Sequence, residues 1–151
     1  MSEPTPRPEF EHFDREMAEG MIKANERMQG LPGFLGARFL RFEPGRLVAE
    51  LEARKELHTP FGNLHGGVLA AFVDHVLGCV LYPLMQRGQW AATTEFKINY
   101  LAPVSRGQVV AESTVVSMTR STAVVRIDVT NDGRLAAVAQ GTVLIRDPKK
   151  S

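Results

Sequence analysis

The sequence holds a single cysteine, Cys79, in 151 residues. A lone thiol closes no intramolecular disulfide and builds no cysteine-based zinc site, so a stapled secreted scaffold is excluded and a reducing, cytoplasmic setting is expected. Charge of one sign is equally scarce, with 18 Lys and Arg against 17 Asp and Glu. Nucleic-acid and membrane-surface binders rely on a basic excess or stripe, so neither partner is expected, although a small anionic ligand needs only a few local donors. No internal repeat or linker interrupts the chain, and His58 and His75 lack partners at metal-ligand spacing, which leaves no metal reading. Pro4, Pro6 and Pro8 deny the first residues helical geometry and amide donors, and no apolar stretch follows them. Residues 1–8 therefore read as a flexible lead rather than a secretory leader. The stretch Gly66 to Met85 is apolar enough to suggest a membrane span, but it carries Asp74, His75 and Pro83 without basic flanks and reads better as a core helix. What the chain does have is 44% hydrophobic residues. A domain of this size hides roughly 70% of its unfolded surface, so one domain over 9–146, with a short tail over 147–151, needs no further support.

From Glu9 to Gln29 the apolar residues Phe10, Phe13, Met17, Met21, Ala24 and Met28 recur at steps of three and four. This predicts an amphipathic helix that stops at Gly30-Leu31-Pro32-Gly33, with Glu11–Arg15 and Glu19–Lys23 as pairs on its wet side. Phe34 to Phe42 and Arg46 to Ala53 flank Glu43-Pro44-Gly45, and the alternation Leu47, Ala49, Leu51, Ala53 predicts a hairpin with one buried face. A helix apolar nearly all round is expected from Gly66 to about Gln86. Strands over Trp90–Leu101, Gln108–Met118, Ala123–Thr130 and Leu135–Ile145 follow, separated by turn residues and expected to form a meander. An all-apolar helix must be covered on nearly every side, which points to an α+β fold in which a curved antiparallel sheet of about six strands wraps round it. One sheet still leaves edges and a face open, so the chain is expected to pair with a copy of itself.

Two features carry chemistry. Asp74 is a carboxylate in the third turn of the apolar helix, costly to desolvate unless something uses it or pairs with it. Gly66-Gly67 opens the same helix, where missing side chains let a ligand approach backbone N–H groups that have no intrahelical partner. Such donors, at the positive end of the helix dipole, suit an oxygen that develops negative charge. Packing of helix on sheet would also favour these glycines. Eight residues separate Gly66 from Asp74, about 12 Å along a helix, too far for both to serve one reacting centre from one chain. Either the helix start bends strongly or the site takes one group from each of two copies.

His65-Gly66-Gly67 with an acid nine residues after the histidine, then Phe96-Lys97-Ile98-Asn99-Tyr100-Leu101-Ala102-Pro103-Val104 followed by Gly107, resembles the hotdog-fold acyl-CoA thioesterases of the phenylacetate-degradation (PaaI-like) branch. The Asp132-Gly133-Arg134-Leu135 turn and Gly141-Thr142 extend the likeness, which covers about Arg46 to Ile145. The resemblance implies a homodimer with sites at its interface, assembling as a dimer of dimers, that hydrolyses an acyl-CoA to free acid and CoA without a separate cofactor. It also assigns roles. Asp74 matches the catalytic acid, acting as general base on water or attacking the thioester itself, and the Gly66 N–H matches the donor that polarises the thioester carbonyl. His65 shapes that turn, Gly67 after it is expected to contact substrate, and Thr93 matches a hydroxyl that positions water. The family often has Asn or Gln six residues before this histidine to help hold the substrate. Here that position is Thr59, so Thr59 serves, or nearby Asn63 substitutes, or activity is weak.

Two other readings stand beside hydrolysis. A non-catalytic acyl-CoA binder or sensor of the same fold follows if Thr59 disables the site, though no helix-turn-helix or basic arm links it to DNA. A hotdog hydratase would need Asp and His as paired acid and base, which Asp74 and His75 on different helix faces supply poorly. Lys97, Arg106 and Arg120 lie on strands or turns and either meet the CoA phosphates or form solvated faces, so none is assigned as a site, and Phe61, Phe72, Tyr82 and Trp90 either line an acyl pocket or fill the core.

Overall fold

The computed structural model describes residues 8–149. Of the flexible ends expected at 1–8 and 147–151, residues 1–7 and 150–151 lie outside the described residues. A short helix α1 (Arg15–Lys23) continues as a 3-10 turn, and a second helix α2 (Gly30–Leu35) precedes strands β1 (Arg38–Glu43) and β2 (Arg46–Glu52). The central helix α3 (Gly66–Cys79) follows, then β3 (Trp90–Tyr100), β4 (Gln108–Met118), β5 (Thr122–Asn131) and β6 (Arg134–Arg146). All six strands join one antiparallel sheet in the order β1-β2-β4-β5-β6-β3, and α3 packs against β2 through β6.

Strict alternation explains the sheet. Leu47, Ala49 and Leu51 of β2, Val109, Ala111 and Val115 of β4, and Val125, Ile127 and Val129 of β5 point to one side and are fully buried against Phe72, Val73, Val76 and Leu77 of α3. Each large aliphatic buried this way contributes about 1.5–3 kcal/mol. A fully buried hydroxyl breaks the pattern: Ser113 Oγ donates to the Val76 carbonyl at 3.3 Å and so ties β4 to α3. The expected turn at Asn131-Asp132-Gly133 forms with positive φ at Asp132 and Gly133. Asn131 does more than turn the chain, since its Nδ2 donates to the carbonyls of Arg106 and Gln108.

Five expectations need correction. The N-terminal helix begins at Arg15 rather than Glu9, because Asp14 accepts from the Met17 N–H at 2.9 Å and caps it. Phe10 belongs to no helical stripe; its ring covers Gly45 in the β1–β2 turn, where a Cβ would approach it to 2.1 Å. Gly30-Leu31-Pro32-Gly33 starts a helix instead of ending one, since Pro32 sits in the first turn, where its missing N–H costs nothing. The Arg54 guanidinium donates to the Phe34 and Leu35 carbonyls at the other end of α2, so β1 cannot begin before Arg38. The α-helix ends at Cys79, not near Gln86, because Pro83 has no N–H to donate to the carbonyl of Cys79 four residues back, and only a 3-10 turn follows. Finally, only β4, β5 and β6 form a meander: β3 pairs with β6, and β2 takes the edge of β4. The connection after β3 is too long for a hairpin, and it is tied across the end of the sheet by bonds from Leu64 N–H to the Val104 carbonyl and from Ala53 N–H to the Gly107 carbonyl.

Among the described residues neither Glu11–Arg15 nor Glu19–Lys23 forms an ion pair; Arg87 instead reaches Asp14 at 3.0 Å and Glu16 at 2.9 Å. The Met17 N–H, and then the Arg87 guanidinium, hold the Asp14 carboxyl below its ordinary value. A depressed folded value means the stabilisation is present above the ordinary carboxylate range and lost as pH falls through the lowered value. Asp14→Ala is therefore expected to lower the melting temperature at neutral pH, with a difference that shrinks below about pH 4. Thermal melts of both proteins across an acid series check this.

Candidate active site at the start of the central helix

The polypeptide enters α3 through a short bridge between His58 and Leu64. His65 is the N-cap: its backbone is extended, and its Nδ1 accepts from the Gly67 N–H at 2.8 Å. That bond requires an unprotonated Nδ1, so the imidazole serves here as an acceptor. The His65 carbonyl accepts from the Val68 and Leu69 N–H groups. Among the described residues the Gly66 N–H meets no acceptor, so of the two glycine donors Gly67's is spent on the cap and Gly66's is open.

A cleft of about 330 Å³ opens on the Gly66 side, walled by Asn63, Leu69, Tyr100, Leu101 and Pro103 among others. Asn63 thus shares a cleft with Gly66. Thr59 is turned to a local task, its Oγ1 accepting from the Phe61 N–H at 3.2 Å. On the other side of the helix start, a second hollow of about 380 Å³ is lined by Leu31, Phe34, Leu57, His65, Gly67 and Ala71. Leu31 and Phe34 are 56% and 65% exposed, and so form an apolar wall that faces outward. Phe61, also exposed, and Trp90 lie on the surface, whereas Phe72 fills the core.

Asp74 stands on the open side of α3, exposed and without a hydrogen-bond partner among the described residues. An apolar helix predicts a buried carboxylate here, but within one chain α3 is covered by the sheet on one side only. Its other side, around Gly67, Ala71, Asp74 and Gly78, is left partly or fully open. His75 points elsewhere, stacked on Phe39 with ring centroids 5.3 Å apart, and Cys79 Sγ lies 3.7 Å from its Nδ1. Burial holds His75 below its usual value, against the opposing pull of Asp74's charge. Burial also pushes the Cys79 thiol up to about 12, which makes it no nucleophile near neutrality.

Thr93 lies opposite Val143, which is buried against the helix, so its side chain takes the helix-facing side of β3. It sits between Ala91, beside Gly78, and Tyr100, which meets Gly66. A bulge at Thr94 separates it from the rest of the strand, and Thr94 Oγ1 donates to the Thr142 carbonyl. One chain therefore holds His65, Gly66, Asn63 and Tyr100 together at the helix start, while Asp74 lies about two turns further along α3 and Thr93 further along β3. The suggested phosphate cations do not converge. Lys97 lines a hollow on the solvent face with Arg126, and Arg120 lines another with Arg87. Among the described residues no three His, Cys, Asp or Glu side chains gather as a metal-binding group.

Sequence pattern assigns Tyr100 no role: it stands inside the strand expected over Trp90–Leu101 and within the segment that carries the resemblance. In the fold its hydroxyl donates to the Gly66 carbonyl at 2.9 Å. The available signal is a tyrosine ending a strand whose inward face meets a helix start, where a polar tip finds orphan backbone groups.

An antiparallel sheet wrapped on one long helix is the hotdog architecture, and comparison with known proteins adds the family. Residues 61–138 match the thioesterase superfamily model. The 1,4-dihydroxy-2-naphthoyl-CoA hydrolase of Listeria monocytogenes is 27% identical over 80% of this chain and 99% of its own. A thioesterase from Haemophilus influenzae superposes with a TM-score of 0.80 at 23% identity, covering 88% of this chain and 92% of the other. A variant of the phenylacetic acid degradation protein PaaI from Thermus thermophilus superposes with a TM-score of 0.68 at 29% identity, covering 75% and 96%. The chain belongs to the thioesterase superfamily.

Proposed function

We propose that the protein hydrolyses an acyl-CoA thioester, with the substrate carbonyl oxygen on the Gly66 N–H of one subunit and Asp74 supplied by another. The observation that carries this reading is the open Gly66 donor beside a cleft, with its neighbour Gly67 already committed to His65. Water attacks the carbonyl carbon as the Asp74 carboxylate takes its proton, and the carbonyl electron pair moves onto the oxygen held by Gly66. Collapse of that intermediate breaks the C–S bond. The departing CoA thiolate takes the proton from Asp74, leaving free acid and CoA. Thr93, on the helix-facing side of β3, orients the water, and Asn63 helps hold the substrate at the Gly66 cleft. If Asp74 attacks directly, the C–S bond breaks, CoA thiolate leaves and an acyl–Asp74 anhydride forms, which water then opens; after a single turnover in oxygen-18 water, label in Asp74 would identify an anhydride opened at the Asp74 carbonyl.

The separation of Gly66 from Asp74 and the sheet edges support the two-subunit reading. Asn25 donates to the Phe39 carbonyl and accepts from the Phe39 N–H, so it covers the β1 edge as a strand would. Among the described residues nothing pairs with the outer edge of β3. Joining two copies there about a twofold axis sets their α3 helices antiparallel, bringing each Gly66 toward the other's Asp74, and a dimer of dimers would extend the assembly. Free-thiol release across short, medium, long and aryl acyl-CoAs tests the activity, and no release from any of them would overturn it. Saturable binding of CoA esters without turnover would instead identify a binder or sensor.

A further inference from the structure

We infer that Tyr100 is a positioning residue for the Gly66 donor, an inference that rests on reading the Gly66 N–H as the group that receives the substrate oxygen. The peptide unit joining Gly66 to Gly67 is held at both poles. Its carbonyl oxygen accepts from the Tyr100 hydroxyl at 2.9 Å, and its N–H donates to His65 Nδ1 at 2.8 Å. A planar amide tied at both poles cannot swing without breaking one of those bonds. The preceding unit, which carries the Gly66 N–H itself, is tied through the His65 carbonyl by the Val68 and Leu69 N–H groups. The two planes meet at the Gly66 Cα, the joint with the widest rotational freedom of any residue, at the end of a helix where fraying begins. The clamp on the second plane removes that freedom and leaves the Gly66 N–H as the one unspent donor, aimed by its neighbours.

Tyr100 also lies close against the bare Cα of Gly66. A Cβ on residue 66 would lie 3.2 Å from Tyr100 Cζ and 3.4 Å from its hydroxyl oxygen. The same aromatic ring thus crowds a side chain here and supplies the bond that steadies the backbone. The ring is 52% exposed and borders the Gly66 cleft, so water can replace its hydroxyl bond and the stabilisation it gives to folding is small. Its effect falls on direction. Because β3 is also the open edge of the sheet, Tyr100 links the aim of the donor to the strand on which a second subunit is placed.

Tyr100→Phe keeps the ring and removes only the clamp. Loss of an oxyanion donor costs about 10²–10³ in turnover, and a donor that is present but less well aimed is expected to cost about tenfold in kcat, with KM changed by less than about twofold. In proton–nitrogen spectra the Gly66 and Gly67 amide resonances should shift, and the Gly67 N–H should exchange with solvent faster, while the melting temperature holds. Unchanged kcat overturns the role, and so does a parallel fall of kcat, substrate affinity and melting temperature, which marks a merely structural contact. If the wild-type protein releases no thiol from any substrate, the functional reading fails separately, and the amide measurements alone decide the inference: unmoved Gly66 and Gly67 resonances overturn it, and shifted ones support it.

Discussion

Asp74→Asn is expected to reduce turnover at least about a hundredfold while leaving the protein folded, because a positioned general base contributes about 10²–10⁴ and an amide of the same shape accepts no proton. The variant suits the question. Asp74 is exposed on α3 and has no hydrogen-bond partner among the described residues, so its replacement strands no buried group. A substitution of that kind usually changes stability by no more than about 0.5 kcal/mol, and lost activity would then not reflect lost structure. Thiol release by the purified variant, alongside its melting curve and binding of a non-hydrolysable acyl-CoA analogue, is the measurement. Full activity in the variant would sink the mechanism. Lost turnover with retained analogue binding would place the effect on the chemical step.

The second large effect concerns Gly141, in β6. A Cβ there would stand 2.6 Å from the Glu95 carbonyl oxygen, 2.6 Å from Phe96 Cβ and 2.7 Å from Leu77 Cδ1. A leucine tip can rotate away, but the carbonyl belongs to β3 next to the bulge at Thr94, and relieving that contact means moving the strand. Overpacking a core ordinarily costs about 1–3 kcal/mol, and a backbone collision on a buried position puts Gly141→Val at or beyond the upper end. For a chain of this size that lowers the melting temperature by roughly 6–12 °C. Thermal unfolding checks it, and a melting temperature within a degree or two of wild type would show that β3 yields easily. The strand displaced carries Thr93 and Tyr100, so activity should fall along with stability, in contrast to the clean separation expected at Asp74.

Much of the fold is legible in the sequence because one period dominates each segment. The alternation of Leu47, Ala49 and Leu51, the apolar character of 66–81 on either side of Asp74-His75 and the Asn131-Asp132-Gly133 turn each favour one local geometry. Local rules mislead where they are overruled from a distance. Phe10 keeps helical spacing with Phe13 and Met17, yet it lies over Gly45, and the Asp14 N–H donates to the Pro83 carbonyl far along the chain. Pro32 signals either a stop or a first turn, and the Arg54 guanidinium at the far end of α2 favours the second.

The site divides in the same way. Gly66 and Asp74 are identifiable because each violates its surroundings, a side chain missing at a helix start and a carboxylate on an apolar helix. Their separation of about 12 Å follows from helical rise alone, so residue spacing is enough to pose the choice between a bent helix start and a second copy. The scarcity of cysteine and of net charge likewise needs no fold to exclude staples and basic stripes. Tertiary structure decided the rest: that Asp74 faces outward, that Asn63 rather than Thr59 shares the Gly66 cleft, that Asn25 covers one sheet edge and leaves the other open, and that Tyr100 grips the helix start. Those outcomes depend on which strand pairs with which and on what meets across the fold. Spacing along a chain records only the geometry each segment imposes on itself, and β3 reaches Gly66 solely because it crosses to the far side of β6.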